Sequence, residues 1–225
     1  MCDAKTRAAG AAACPDCAAP DSGGAGEPTG DTVPRIGPNS IFRMGDALRA
    51  QIGAEAAARL FAAAGLTHHW EHPPESMVPA ADVTALHKAL RAHLDTPTMV
   101  AVSRRAGEAT GDYLLARRIP KPAQVVLKML PPVPAARILI QAMGKHAWTF
   151  AGAGRFEGEA GRPTRLVIEG GPIQAAMPEA GYPLCDYYTA TFERLFRVLV
   201  ARRATAREVA CQAAGARACT FEITW

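Results

Sequence analysis

Between residues 40 and 145 apolar positions recur every three to four residues, and beyond residue 148 the interval shortens toward two. The first regime predicts helices. Pro38 stops any preceding helix, and Asn39 or Ser40 can cap one that runs through Phe42, Leu48, Ile52, Ala56 and Leu60 to Gly65. A loop then carries His68, His69 and His72 around Trp70. A second helix is expected over residues 80–94, with Val83, Leu86, Leu90 and Leu94 on one face. Pro97 opens a third, through Leu115, whose mixture of apolar and small residues suits close packing against another helix. Shorter helices at residues 122–130 and 135–145 are separated by Pro131, Pro132 and Pro134. The second regime predicts strands at residues 148–157 and 165–169, a helix starting at Cys185, and a closing hairpin that turns at Gly215. Helices first and strands later give an α+β domain: an N-terminal helical half followed by an antiparallel sheet with a packed C-terminal helix.

Composition narrows the organisation. Residues 1–34 are rich in Ala, Gly, Pro and Asp without apolar periodicity and read as a disordered tail, leaving residues 35–225 as one ligand-binding domain. Cys14 and Cys17 form a C-x-x-C pair inside that tail, without the strand and helix of a redox site or a second pair to complete a zinc knuckle, and read as incidental. The net charge of +4 is mild and no aromatic-interleaved basic stripe accompanies it, so nucleic acid is not the expected partner. No apolar run approaches the roughly 20 residues that span a bilayer, and the N-terminus shows no hydrophobic signal core. The expectation is a soluble, cytoplasmic protein with reduced cysteines.

The candidate chemistry gathers in the last quarter. Cys185, Glu208, Cys211 and Cys219 supply three thiols and a carboxylate, a full tetrahedral set for zinc, and closed four-ligand sets are usually structural. Cys211 and Cys219 flank Gly215 symmetrically and face each other across the expected hairpin. Cys185 opens a helix, where thiolate is favoured. Glu208 fits least well, because three residues separate it from Cys211 and a regular strand would turn the two to opposite faces; ligation requires a bulge, a strand end or a bend. The plain alternative is that these are small core cysteines. Gly152-Ala-Gly154 lacks the third glycine and the strand-to-helix context of a dinucleotide fingerprint and reads as a glycine hairpin or bulge. The cysteines are too few and wrongly spaced for an ordinary iron-sulfur cluster.

The opening Arg35-Ile-Gly-Pro-Asn-Ser-Ile41, the stretch Gly144-Lys-His-Ala-Trp-Thr-Phe-Ala-Gly-Ala-Gly154, and the ending Glu208-Val-Ala-Cys211 with Cys219-Thr-Phe-Glu222 resemble the bacteriochlorophyll 4-vinyl reductase family over essentially all of residues 35–225. Its C-terminal part is similar to a broader small-molecule-binding domain of aromatic-effector sensor modules and TRAPP subunits, which implies a TRAPP-subunit-like fold. In the sensor modules a zinc site of three Cys and one Glu has a spacing that matches Cys185, Glu208, Cys211 and Cys219. The resemblance implies a role in bacteriochlorophyll biosynthesis, where the 8-vinyl (4-vinyl in older nomenclature) group of a divinyl protochlorophyllide or chlorophyllide precursor becomes ethyl. That reduction needs NADPH or another external electron donor, and the sequence carries no motif for one. The alternative is a non-catalytic carrier or assembly factor that delivers the tetrapyrrole to a separate reductase among the other enzymes of the pathway. An apolar cavity between helices and sheet is the expected ligand site. His146, beside Trp148 and Phe150, is the candidate contact for the ring and its magnesium, and Arg104 with Arg105, or Arg117 with Arg118, for a propionate. Related domains pair through N-terminal helices, and the Ala-rich face between Ile41 and Gly65 suits a homodimer.

Overall fold

The computed structural model describes residues 33–225. The expected tail, with Cys14 and Cys17, lies outside the described residues apart from its last two positions. The helical half comprises α1 (Asn39–Ile52), α2 (Ala54–Ala63), α3 (Thr67–Glu71), α4 (Ala80–His93), α5 (Thr96–Arg117), α6 (Lys121–Met129), α7 (Pro132–Lys145) and the single turn α8 (Trp148–Ala151). A short antiparallel pair, β1 (Arg35–Ile36) with β2 (Val78–Pro79), ties the start of the domain to the entry of α4. The main sheet follows: β3 (Arg155–Glu159), β4 (Thr164–Glu169), β5 (Thr205–Ala210) and β6 (Cys219–Thr224), antiparallel in the order β3-β4-β6-β5, with α9 (Asp186–Leu199) inserted between β4 and β5. The architecture is the expected α+β.

One face of the sheet is apolar and the other wet. Leu166 stands opposite Phe221 and Ile168 opposite Cys219, all four fully buried, whereas Arg165 donates two hydrogen bonds to Glu222 on the solvent side. The amphipathic α9 covers the apolar face. Phe150, Phe156, Tyr188, Phe192 and Phe221 fill the space between α9, α8 and the sheet with edge-to-face and stacked rings at centroid separations of 5.2 to 6.4 Å.

The far side of α9 packs on α5, and here the small residues of α5 find their reason. A Cβ at Gly107 would lie 2.2 Å from the Tyr187 carbonyl oxygen, and one at Gly111 would lie 2.8 Å from the Arg194 side chain. Only glycine lets the two backbones come so near. The Thr191 hydroxyl then donates to the Gly107 carbonyl (2.9 Å), and the Thr110 and Tyr187 hydroxyls bond to each other (2.9 Å), so the polar groups brought inside are satisfied.

Four local expectations are corrected. The first helix is two: Gly53, at φ +86°, breaks the run after Ile52 and α2 restarts at Ala54. Neither Asn39 nor Ser40 caps it, because Pro38 occupies the cap position, Asn39 is already helical, and the Ser40 hydroxyl turns back to the Gly37 carbonyl. The histidine-rich loop is the short helix α3. Trp148 to Ala151 form a helical turn instead of a strand, since the carbonyls of His146 and Ala147 accept from the amides of Thr149, Phe150 and Ala151; β3 begins only at Arg155.

Candidate metal centre

Three elements bring the sulfur cluster together. Cys185 caps α9, Cys211 follows β5, and Cys219 opens β6. Gly215 takes the left-handed conformation at φ +88° and turns the connection, which places Cys211 and Cys219 side by side as the symmetry about that glycine predicts. The Cys185–Cys219 and Cys219–Cys211 sulfur separations are both 3.6 Å, and all three thiols are buried and unbridged. A disulfide needs about 2.05 Å. A tetrahedral metal with bonds to sulfur of about 2.3 Å sets its sulfurs about 3.8 Å apart, close to what is found.

Glu208 completes the set through the irregularity that its spacing demanded. Glu208 pairs with Phe221 while Ala210 pairs with Thr220, so Val209 is an extra residue in a β-bulge. The bulge points Val209 to solvent and keeps Glu208 and Cys211 on the same, inner side. One ligand atom from each of Cys185, Glu208, Cys211 and Cys219 lies within 4.8 Å of every other. The backbone N–H of Cys185 donates to Glu208 Oε2 (2.8 Å), and that of Gln212 to the Cys219 sulfur (3.4 Å). Glu208 Oε1 is buried without a hydrogen-bond partner, an uncompensated position that a cation would satisfy.

Electrostatics say the same. Burial pushes Glu208 up to about 8, against the pull of the Cys185 amide. The bonds from Cys185 and Cys219 hold the Cys211 thiol far below its ordinary value, and Cys185 is raised by donating to Cys211 and Cys219 and by burial. One proton-poor sulfur held by two proton-rich ones is a group of competing donors around a point that wants positive charge. Arg91 of α4 stands next to it: its guanidinium donates to the Leu184 carbonyl (2.7 Å), its pKa is lowered by burial, and the thiols of Cys185 and Cys211 are among the groups that counter this.

The remaining sequence candidates do not converge in this way. His68 and His69 stack with centroids 4.0 Å apart, and His69 Nε2 lies 3.0 Å from Asp82 Oδ2; these three residues form a second, partly exposed cluster of possible ligands, without His72. His146 ends α7 in solvent and Trp148 is 56% exposed, whereas the Phe150 ring turns into the aromatic core and its carbonyl accepts from the Tyr188 hydroxyl (2.6 Å). The expected apolar cavity is replaced by packed rings. The cavity that does form, about 410 Å³, lies between α1, α5 and α9 and is polar, lined by Arg104, Arg105, Glu108, Glu193, Arg194 and Arg197. Arg104 and Arg197 both hold Glu193 there, at 3.3 and 3.2 Å. Gly154 is committed to packing, since a Cβ on it would meet the Glu169 carbonyl at 2.5 Å. Arg91 was missed from sequence; its place four residues after a buried histidine carries no signal of what it faces.

Residues 164–225 match the vinyl-4-reductase domain family, and this stretch contains Cys185, Glu208, Cys211 and Cys219. The chain is 44% identical over 191 residues to the bacteriochlorophyll synthase 23 kDa chain of Cereibacter sphaeroides, covering 84% of this chain and 90% of that one. It is 38% identical over 194 residues to the protein of the same description from Rhodobacter capsulatus, covering 86% and 88%. Among solved structures, an H-NOX protein from S. oneidensis, crystallised in its Fe(II)NO ligation state, superposes with a TM-score of 0.50 over 84% of this chain and 98% of that one at 14% identity, a likeness of fold.

Proposed function

This chain belongs to the family of the bacteriochlorophyll synthase 23 kDa chain, with a role in bacteriochlorophyll biosynthesis, and on that premise we propose that it acts at the 8-vinyl reduction step by binding a divinyl protochlorophyllide or chlorophyllide precursor. The observation that carries this reading is 44% identity extending over 90% of the relative, so that the whole domain is shared and not the C-terminal segment alone. Trp148 offers an exposed aromatic face for the ring, and His146, two residues away, an imidazole for its magnesium; Phe150 supports them from the core side.

Cys185, Glu208, Cys211 and Cys219 are the ligands of a zinc ion in this reading. The sulfur spacing and the orphaned Glu208 Oε1 favour it. Zinc bound there supplies folding free energy, since four protein ligands leave no open position for substrate. The cluster then clasps the start of α9 to the β5–β6 hairpin.

The family resemblance favours a reductase using NADPH or another external donor. The commitment of Gly152 and Gly154 to a turn and a close backbone contact favours the second reading, a carrier that presents the precursor to a separate enzyme. Incubating the protein with divinyl protochlorophyllide and NADPH and resolving the pigments by chromatography separates them. Monovinyl product supports the reductase, binding without product supports the carrier, and failure to bind the pigment ends both. Pairing into a homodimer through α1 and α2 belongs to the same reading and is checked by light scattering.

A further inference from the structure

Between Asp112 and Glu157 the chain has no acidic residue, yet it carries Arg117, Arg118, Lys121, Lys128, Arg137 and Lys145. All six are exposed, and none forms an ion pair among the described residues. The same segment builds α6 and α7, which leave large aliphatic side chains in water: Val125 is 56% exposed, Val126 54%, Met129 80% and Ile138 45%. On α6 the arrangement is ordered. Gln124 and Leu127 face inward, where the Gln124 amide donates to the carbonyls of Leu115 and Ile119. Positions 125, 126 and 129, at helical spacings of three and four, share the outer face, and Lys121 and Lys128 flank them.

We propose that this outer face of α6, with the adjoining surface of α7, docks the protein onto an anionic lipid bilayer. Unpaired cations in an acid-free stretch match a negative surface, and aliphatic side chains set among them match the acyl boundary beneath the headgroups; this combination is what an interfacial helix requires. An acidic protein would match the charge alone. The outer face of α6 offers no amide or hydroxyl side chain to give such a partner directional hydrogen bonds, only ammonium groups and aliphatic surface. The contact is peripheral, since no helix among the described residues is long and apolar enough to cross a membrane. The inference rests on the surface and is independent of the vinyl-reduction reading.

Co-sedimentation of the full chain with vesicles, without pigment, tests it. Vesicles containing about one third phosphatidylglycerol should bind the protein at least roughly tenfold more strongly than phosphatidylcholine alone, and about 0.5 M salt should remove most of that gain. Val126→Glu with Met129→Glu should reduce binding to the anionic vesicles by roughly tenfold or more, and Lys121→Glu with Lys128→Glu likewise, while both variants melt as the wild type does. Equal binding to both vesicle types overturns the proposal. So does full binding by the Val126→Glu, Met129→Glu variant, which would reduce the contact to charge adsorption, and so does a fall in its molar mass in solution, which would make the face an interface between copies of this chain.

Discussion

The sulfur clasp and the α6–α7 surface treat their side chains in opposite ways. In the clasp, groups separated by up to 34 residues are drawn into one buried point, and the reactive atoms face each other. On α6–α7, residues close in sequence face outward, and the aliphatic groups have no protein partner. The contrast separates what holds this fold together from what the fold can offer to other molecules. Substitutions inside the clasp and the layers around it should cost stability, whereas substitutions on the α6–α7 surface should change only what binds.

The largest break in that contrast is Cys211→Ser. It is expected to abolish metal binding and to lower stability by several kcal/mol, because a structural site and the fold are coupled; metal analysis of the untagged protein with thermal melts checks this, and a metal-free wild type of unchanged stability would sink the zinc reading. Phe150→Ala should cost about 3 kcal/mol from the lost ring packing, while Trp148→Ala, two residues away, should cost less than about 0.5 kcal/mol, both by denaturant titration. If the two costs are equal, the inward and outward division along α8 is wrong. Gly107→Ala should cost roughly 1–3 kcal/mol by forcing α5 away from α9, with Gly111→Ala milder because a side chain there can move aside.

A smaller effect concerns pH. His87 on α4 is fully buried with both ring nitrogens unpartnered, and burial, with a lesser contribution from Arg91, lowers its pKa from 6.5 to about 3. Between those values the unfolded chain binds a proton that the folded chain refuses. Its contribution to stability is therefore complete above about pH 6.5 and declines as the pH falls toward 3. At pH 5 this single group should have cost roughly 2 kcal/mol relative to pH 7, and the His87→Leu variant should lose that much less between the same two pH values.

Much of the clasp could be read from the chain because the signals were local. Two cysteines equidistant from a glycine in a hairpin must meet, and the odd spacing of Glu208 and Cys211 required the bulge that the structure contains. The break at Gly53 was hidden because the apolar periodicity of α1 continues into α2, so that only the backbone angle reveals the interruption. The turn at Trp148 was hidden because Trp, Thr and Phe favour strands, while three short-range backbone bonds and the anchoring of the Phe150 ring decide otherwise. Nearness in sequence grouped His146, Trp148 and Phe150, but in a helical turn successive side chains point in different directions. The filling of the interlayer space was not legible at all, since five aromatic rings distributed between residues 150 and 221 meet only in the folded chain.

The bulge at Val209 also bears on how this segment can tolerate insertions and deletions. A spacer of one residue between the carboxylate and the cysteine would put both on the inner face of an unbroken ladder, and a spacer of two achieves the same only by expelling one residue from the register. The hairpin therefore constrains the parity of the spacer rather than its length. Deleting Val209 should straighten the edge strand and leave the cluster facing inward, whereas deleting a residue from the regular ladder between Thr205 and Glu208 would turn every side chain on its far side to the opposite face.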